Sequence, residues 1–430
     1  MVGSSGAPAQ RALTGPVVGV TLLTFGFMTV YLFFFPTLPF FIEELGGDKG
    51  EIGLLIGTSS LTALALRPFV GYGLDSVGRK PILVGGLLIF ALTAALYHLP
   101  QSTVWLFPIR MMNGVCLATV MTAASTYVAD VAPLGRRGAV ISYFGVANSL
   151  SFVVGPALGG FIIDSSALRG FDSIFTDSAS WLSGAHTGDF NFTTLFLVAS
   201  VTGIALAAAA LLLPAPERPD SRPRLALASI VSRDSVFPAS VNLLGSFAFA
   251  AMVTFMPLFA REEGLDNPGM LFVVYGVGVI IMRMVIGNRI DTLPAVAIVV
   301  PGFALLAASM ALFAVATAVP LFFVASLLYG FGAGAFQPAL MTFMVDRALP
   351  EERGRAMGTF TLGADLGLSV GSVFLGFFVE ATNFRAGFGV AALVVVVALA
   401  VFVAGQMRAI SGTGKARSEQ DAVGPKHGQM

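Results

Sequence analysis

Four charged side chains stand where charge is expensive. Arg67, Arg110, Arg283 and Asp365 lie inside long apolar runs of a 430-residue chain that is 56% hydrophobic and only 11% charged. At the centre of a bilayer such a charge costs about 2.5–3.5 kcal/mol on insertion scales, so each needs a partner or a water-filled cavity. The chemistry open to them is narrow. A carboxylate can take up and release a proton, and a guanidinium can pair with it, hold a polar group of a solute or bond main-chain carbonyls. Other chemistry lacks its residues. Cys116 is the single cysteine, which excludes a disulfide framework and a cysteine-rich metal site, and His98, His186 and His427 stand at or outside the ends of the runs. With no cluster of nucleophile, base or metal ligands and no phosphate-binding loop, neither an enzyme nor a cofactor or metal is expected. A formal net charge of zero gives no electrostatic case for nucleic acid.

The elements that must carry these residues are membrane-spanning helices. A soluble domain typically holds about 25% charged residues, whereas this chain has a mean hydropathy of +0.86. About 20 residues at 1.5 Å each cross the hydrocarbon, and in lipid the backbone must satisfy itself, so the runs must be helices. Twelve can be marked: 17–42, 51–74, 81–99, 103–128, 139–163, 192–213, 236–260, 268–290, 294–314, 319–345, 355–379 and 384–407. The first is too long for a secretory signal and no cleavage site follows it. The ends, 1–14 and 409–430, are small and polar and read as disordered tails. With both termini cytoplasmic, seventeen Lys and Arg fall on inner segments and four (Lys49, Arg169, Arg261 and Arg385) on outer loops, so the positive-inside rule predicts that orientation in a plasma or inner membrane.

The chain also repeats itself. A displacement of 216 residues lays Arg67-Pro-Phe-Val-Gly71-Tyr-Gly-Leu-Asp75 over Arg283-Met-Val-Ile-Gly287-Asn-Arg-Ile-Asp291, Gly155 over Gly371 and Asp164 over Glu380. Pro39–Gly46 falls on Pro257–Gly264 at 218, and the spacing Pro133, Arg136, Ala139 on Pro350, Arg353, Ala356 at 217. Several matches in chain order imply two halves of six helices, 15–213 and 236–408, joined by a Pro- and Arg-rich linker, 214–235, with a ligand site between them. The fold expected is an all-α membrane protein of twelve transmembrane helices in two pseudo-symmetric six-helix bundles.

Gly71-Tyr-Gly-Leu-Asp75-Ser-Val-Gly78-Arg79-Lys80 resembles the loop signature G-x-L-A-D-R-x-G-R-K of the major facilitator superfamily, between its second and third helices. Ser76 stands where a basic residue is usual. Arg110-Met-Met-Asn113-Gly114 is similar to the R-x-x-Q-G motif of proton-coupled members, with Asn for Gln. Gly155-Pro156-Ala-Leu-Gly159-Gly160 resembles the end of the antiporter motif, although Ser142 and Ser151 occupy the places of its upstream glycines. Asp365-Leu-Gly-Leu looks like the group of sugar- and drug-efflux permeases.

That resemblance, covering residues 15–408, implies roles. Asp75 would face the start of the eleventh helix, and Arg79 would pair with Asp130, closing the cytoplasmic side when the site opens outward; a plainer reading is that these charges set topology and finish helices. Helices two and eleven, and eight and five, meet across the halves in this fold. An ion pair between Arg67 and Asp365 is therefore expected, mirrored by Arg283 with Asn148, which aligns with Asp365 at a displacement of 217. Only the first contact could be broken by a proton, so Asp365 is the candidate coupling carboxylate; alternatively the pair is a permanent lock. Arg110 could assist proton exchange, bind an anionic group of the solute, or bond carbonyls of the first helix.

Helices one, four, seven and ten line the cavity in this family, and the candidates on them are Met28, Tyr31, Asn113, Asn242, Met252, Tyr329 and Gln337. That set suits a small amphipathic solute. The expectation is a monomeric, proton-coupled antiporter exporting such a compound; the alternatives are a proton-coupled importer of a metabolite and, from another class, a transporter-like sensor. The outer loop 164–191, with Trp181 and His186, is read as a lid or a surface loop.

Overall fold

The computed structural model describes residues 13–133, 136–164, 190–215, 232–287, 289, 292–348 and 352–422. The outer loop with Trp181 and His186, most of the linker, Asp291 and His427 lie outside these residues, and so do most of the amino-terminal tail and the last residues of the chain.

Among the described residues thirteen α-helices follow one another: α1 (Gly15–Tyr31), α2 (Phe34–Glu44), α3 (Lys49–Ser76), α4 (Arg79–Leu96), α5 (Leu106–Val131), α6 (Arg137–Asp164), α7 (Phe192–Leu211), α8 (Val236–Glu262), α9 (Gly269–Ile286), α10 (Ala295–Val315), α11 (Val319–Arg347), α12 (Arg353–Ala381) and α13 (Phe384–Ala422). Among the described residues twelve spans are long and apolar enough to cross a membrane, α1 and α2 together making the first.

Two expectations need correction. The first run, read as one helix over 17–42, breaks at Leu32–Phe33. Pro36 explains the break: its ring has no N–H to give to the carbonyl four residues back, Leu32, and would clash with it in a continuous helix. The second concerns the polar tail from residue 409, read as disordered, which continues α13 to Ala422. No proline interrupts it and a helix already nucleated extends at little cost per residue.

The halves repeat one another, and their buried apolar side chains join in one continuous cluster among the described residues. Both leave their first span through a glycine in the left-handed region, Gly46 at φ 81° and Gly264 at φ 91°, displaced by the 218 residues that align the neighbouring sequence. The halves meet along two long seams, α3 against α12 and α6 against α9, with α2 touching α8 between them. On the side away from the termini these seams are tight. A Cβ on Gly53 would lie 2.2 Å from the Ser372 carbonyl oxygen, and one on Gly160 would lie 2.7 Å from Gly269 Cα. Lys49 N donates to Glu380 Oε2 at 3.0 Å and Arg261 sits over the rings of Phe40 and Phe190. Toward the termini the packing loosens: a Cβ on Gly71, Gly145 or Gly358 would meet nothing within 4 Å.

Candidate transport site at the seams of two half-bundles

The mid-membrane charges sit on the seams because helical periodicity puts them there. On α3, residues 50, 53, 57 and 67 fall on one face, and on α12 so do 365, 369, 372 and 376. The outer parts of these faces are small, so the backbones approach closely: Ser369 Oγ donates to the Gly57 carbonyl at 3.2 Å. At the inner end of the same faces Arg67 Nη1 lies 2.5 Å from Asp365 Oδ2. The contact lacks the alignment of a hydrogen bond. It is held by charge, with the two side chains 27% and 17% exposed.

On the other seam Arg283 Nη1 donates to Ser149 Oγ. The expected partner, Asn148, is not used, and its Oδ1 is buried without a donor. The reason is register. At 216, the displacement that relates Arg67 to Arg283, the residue matching Asp365 is Ser149; the displacement of 217 is one residue too many. The same 216 relates Gly53 to Gly269 and Gly160 to Gly376, so each seam has a glycine contact outside and an arginine contact at mid-depth. One arginine faces a carboxylate and the other a hydroxyl.

Arg110 is buried within the amino-terminal half. Nε donates to the Leu55 carbonyl at 2.9 Å, Nη1 to Asn113 Oδ1 at 3.1 Å, and Nη2 to Ser59 Oγ at 2.6 Å and the Ile56 carbonyl at 3.4 Å. The carbonyls belong to α3, not to the first helix, because α3 and α5 pack side by side and Gly114 lets them close. Tyr97, which sequence reasoning missed, donates to Asn113 Oδ1 at 2.6 Å. No motif or displacement marks it, because it lies just past the end of α4. Arg110 also lines a cavity of about 20 Å³ with Tyr31, Phe34, Phe35, Leu38, Ile56 and, from the other half, Val253. That is room for about one water molecule. Beside it Phe35, Phe152 and Phe249 form an aromatic triad across the halves, with centroids 6.0–6.5 Å apart.

The remaining candidates scatter. Met28, Tyr31, Asn113, Asn242, Met252 and Tyr329 are buried, while Gln337 is exposed. Asn242 Nδ2 is committed to the Phe360 carbonyl at 3.0 Å, and Tyr329 packs its ring on Tyr275. The structure therefore gathers only Tyr31, Asn113 and Arg110 into one neighbourhood. Of the antiporter-like residues, Gly155 and Gly159 face the break in the first span: a Cβ there would lie 2.6 Å from the carbonyl oxygens of Thr29 and Phe33 respectively. Gly160 faces the other half, and Pro156 is buried between them.

The signature loop lies at the terminus side. Arg79 is buried, with Nε 2.8 Å from Asp130 Oδ2, Nη1 2.8 Å from the Leu74 carbonyl and Nη1 3.4 Å from Asp75 Oδ1. Lys80 Nζ donates to the Leu211 carbonyl at 2.7 Å. Asp75 is 44% exposed, turned to Arg79 on its own half rather than to α12. This fits a structure whose halves are parted on this side. Gly78 has φ 108° and ψ 162°, a region open almost only to glycine. Gly78→Ala is expected to cost about 1–3 kcal/mol, read as a lower melting temperature with the Arg79–Asp130 pair loosened.

The family model for the Major Facilitator Superfamily matches residues 20–287 and 266–424. Multidrug resistance protein 2 of Bacillus subtilis is 33% identical over 127 residues, which is 30% of this chain and 32% of that protein; the match thus spans about a third of the relative's length. An uncharacterized MFS-type transporter of Methanocaldococcus jannaschii is 21% identical over 372 residues, 84% of this chain and 90% of the other. Among solved structures, a bacterial homolog of the human lysosomal transporter Spinster, in an inward-facing and occupied conformation, superposes with a TM-score of 0.72 at 15% identity, covering 91% of this chain and 96% of that one. Two matching half-bundles joined at paired seams, together with a family match across most of the sequence, establish that the chain belongs to the Major Facilitator Superfamily, as a multi-pass membrane protein.

Proposed function

We propose that the chain is a proton-coupled antiporter that exports a small amphipathic organic compound by alternating access, with its termini in the cytoplasm of a cell bounded by the plasma or inner membrane. The observation that carries this reading is the inequality of the two seams. Arg67 faces Asp365, a group that binds a proton, where its mate Arg283 faces Ser149, a group that does not. A proton on Asp365 abolishes the ion pair, so pair and proton exclude each other. With the far side closed the pair is made and the proton is off, and the carrier rests with its crevice toward the termini. Solute binding supplies the free energy to part the seam. Once parted, the carboxylate takes a proton from the far side and the loaded carrier returns. A ligand shifts such an equilibrium only by its differential affinity for the two conformations. The local match to a multidrug resistance protein supports outward transport of a drug-like compound.

The test is flux. A thermal-shift screen of the purified protein supplies ligands, which are then offered to inside-out vesicles with an acid lumen. The expected result is accumulation in the lumen that a protonophore collapses. Equal flux with and without the gradient would refute the coupling, and accumulation only with the gradient reversed would make the carrier an importer.

A further inference from the structure

Three or more residues in from either end of a span, the described residues carry three guanidinium groups and one carboxylate, Arg67, Arg110, Arg283 and Asp365. Arg67 and Asp365 neutralise one another across the seam. Arg110 and Arg283 have no carboxylate. Arg110 is spent on two carbonyls, an amide oxygen and a hydroxyl, and Arg283 donates to the Ser149 hydroxyl while its Nε is buried without an acceptor. Neutral acceptors satisfy N–H groups and leave the charge standing. In surroundings of low dielectric an uncompensated charge acts more strongly and farther than in water.

A second observation points the same way. Asn113 is 1% exposed and its Oδ1 is held by Arg110 and Tyr97, yet Nδ2 has no acceptor. A buried cation and a buried, unsatisfied amide donor stand side by side, next to the cavity that Val253 of the other half closes. The walls contributed by Tyr31, Phe34 and Phe35 are aromatic. Arg110 stands nearer the far side than Arg283, which sits at mid-depth on its seam, so positive charge without a carboxylate stands at two depths along the path between the halves.

Resting on the reading of that path as the solute's route, we infer that the solute is an organic anion: an apolar, aromatic-compatible body ending in a carboxylate or sulfonate, whose charge docks on Arg110 and Asn113 while its body packs on Tyr31, Phe34 and Phe35. A cationic solute would meet two guanidinium groups there, with Asp365, the one carboxylate, already engaged.

Four probes on one ring system test this with the full chain in lipid nanodiscs: 2-naphthoate, naphthalene-2-sulfonate, neutral 2-naphthamide and cationic 2-naphthylmethylammonium. The anions are expected to bind at least about tenfold more tightly than the other two, as one charge-assisted hydrogen bond implies. Arg110→Gln should remove that preference without weakening the amide, and Arg110→Lys should keep part of it. If Arg110→Gln does not fold, Asn113→Ala, which removes the unsatisfied amide donor, carries the same comparison. Preference for the cation, equal binding of all four, an anion preference that survives these variants, or no binding by any probe overturns the inference. Gradient-driven flux of a cationic ligand in the vesicle experiment would leave the transport reading intact while refuting this one.

Discussion

Transport by Asp365→Asn is expected to lose its dependence on the pH gradient altogether, with gradient-driven accumulation falling to the level of downhill exchange. Asparagine is near in shape to the carboxylate and cannot carry a proton, so any loss comes from charge and titration rather than volume. The substitution also leaves Arg67 facing a neutral group. A hydrogen bond or pair involving a charged group contributes about 1.5–3 kcal/mol, so the far-side-closed conformation should lose roughly tenfold or more of its advantage. The paired measurement is flux at several imposed gradients alongside counterflow exchange without one. Exchange should persist while the gradient response vanishes. If the response survives at full size, the pair is only a lock and the proton is carried elsewhere. Ser149→Asp is the informative counterpart, because it places a second titratable group opposite Arg283 and should raise the number of protons moved per cycle.

Closing the far side should be abolished by filling the glycine contacts. Even the first carbon of a side chain at Gly53 would sit 2.2 Å from the Ser372 carbonyl oxygen, and one at Gly376 would sit 2.8 Å from the Lys49 carbonyl oxygen. Both neighbours are backbone and cannot swing aside. Overpacking a close-fitting core by a few methylenes costs about 1–3 kcal/mol; an indole at each position adds far more volume than that. Gly53→Trp combined with Gly376→Trp should therefore reduce the far-side-closed population at least about a hundredfold and stop net transport, while the separate half-bundles remain folded. Spin labels on Leu99 and Thr382, in a Cys116→Ser background, should report a widened separation on the far side. An unchanged separation with normal flux would show that closure does not depend on backbone contact at these glycines.

Much of this was legible in the residues. The spans follow from hydropathy alone, since no other backbone arrangement survives in hydrocarbon. Arg67 and Asp365 were identifiable as a pair because a charge in a span demands compensation and the family resemblance implies that the second and eleventh helices meet across the halves. Asn148 for Ser149 shows the limit: displacements of 216, 217 and 218 all occur in the alignment, and a single residue turns a side chain by 100° on a helix. Tyr97 carried no signal. Tyr31, Met252 and Tyr329 stand on helices that line the cavity in the family the sequence resembles, yet which of them faces a cavity depends on helix rotation, which sequence does not state.

The amino-acid order alone determined the number of spans, the two-fold repeat, the loop signature and the scarcity of carboxylates at depth, because each of these is a one-dimensional consequence of burying a chain in lipid. Only the tertiary structure decided that Arg283 meets a hydroxyl, that Arg110 leans on α3, and that the halves touch on the far side and part toward the termini. Those facts depend on how two packed bundles sit against each other, which is set by contacts between residues hundreds of positions apart in the chain.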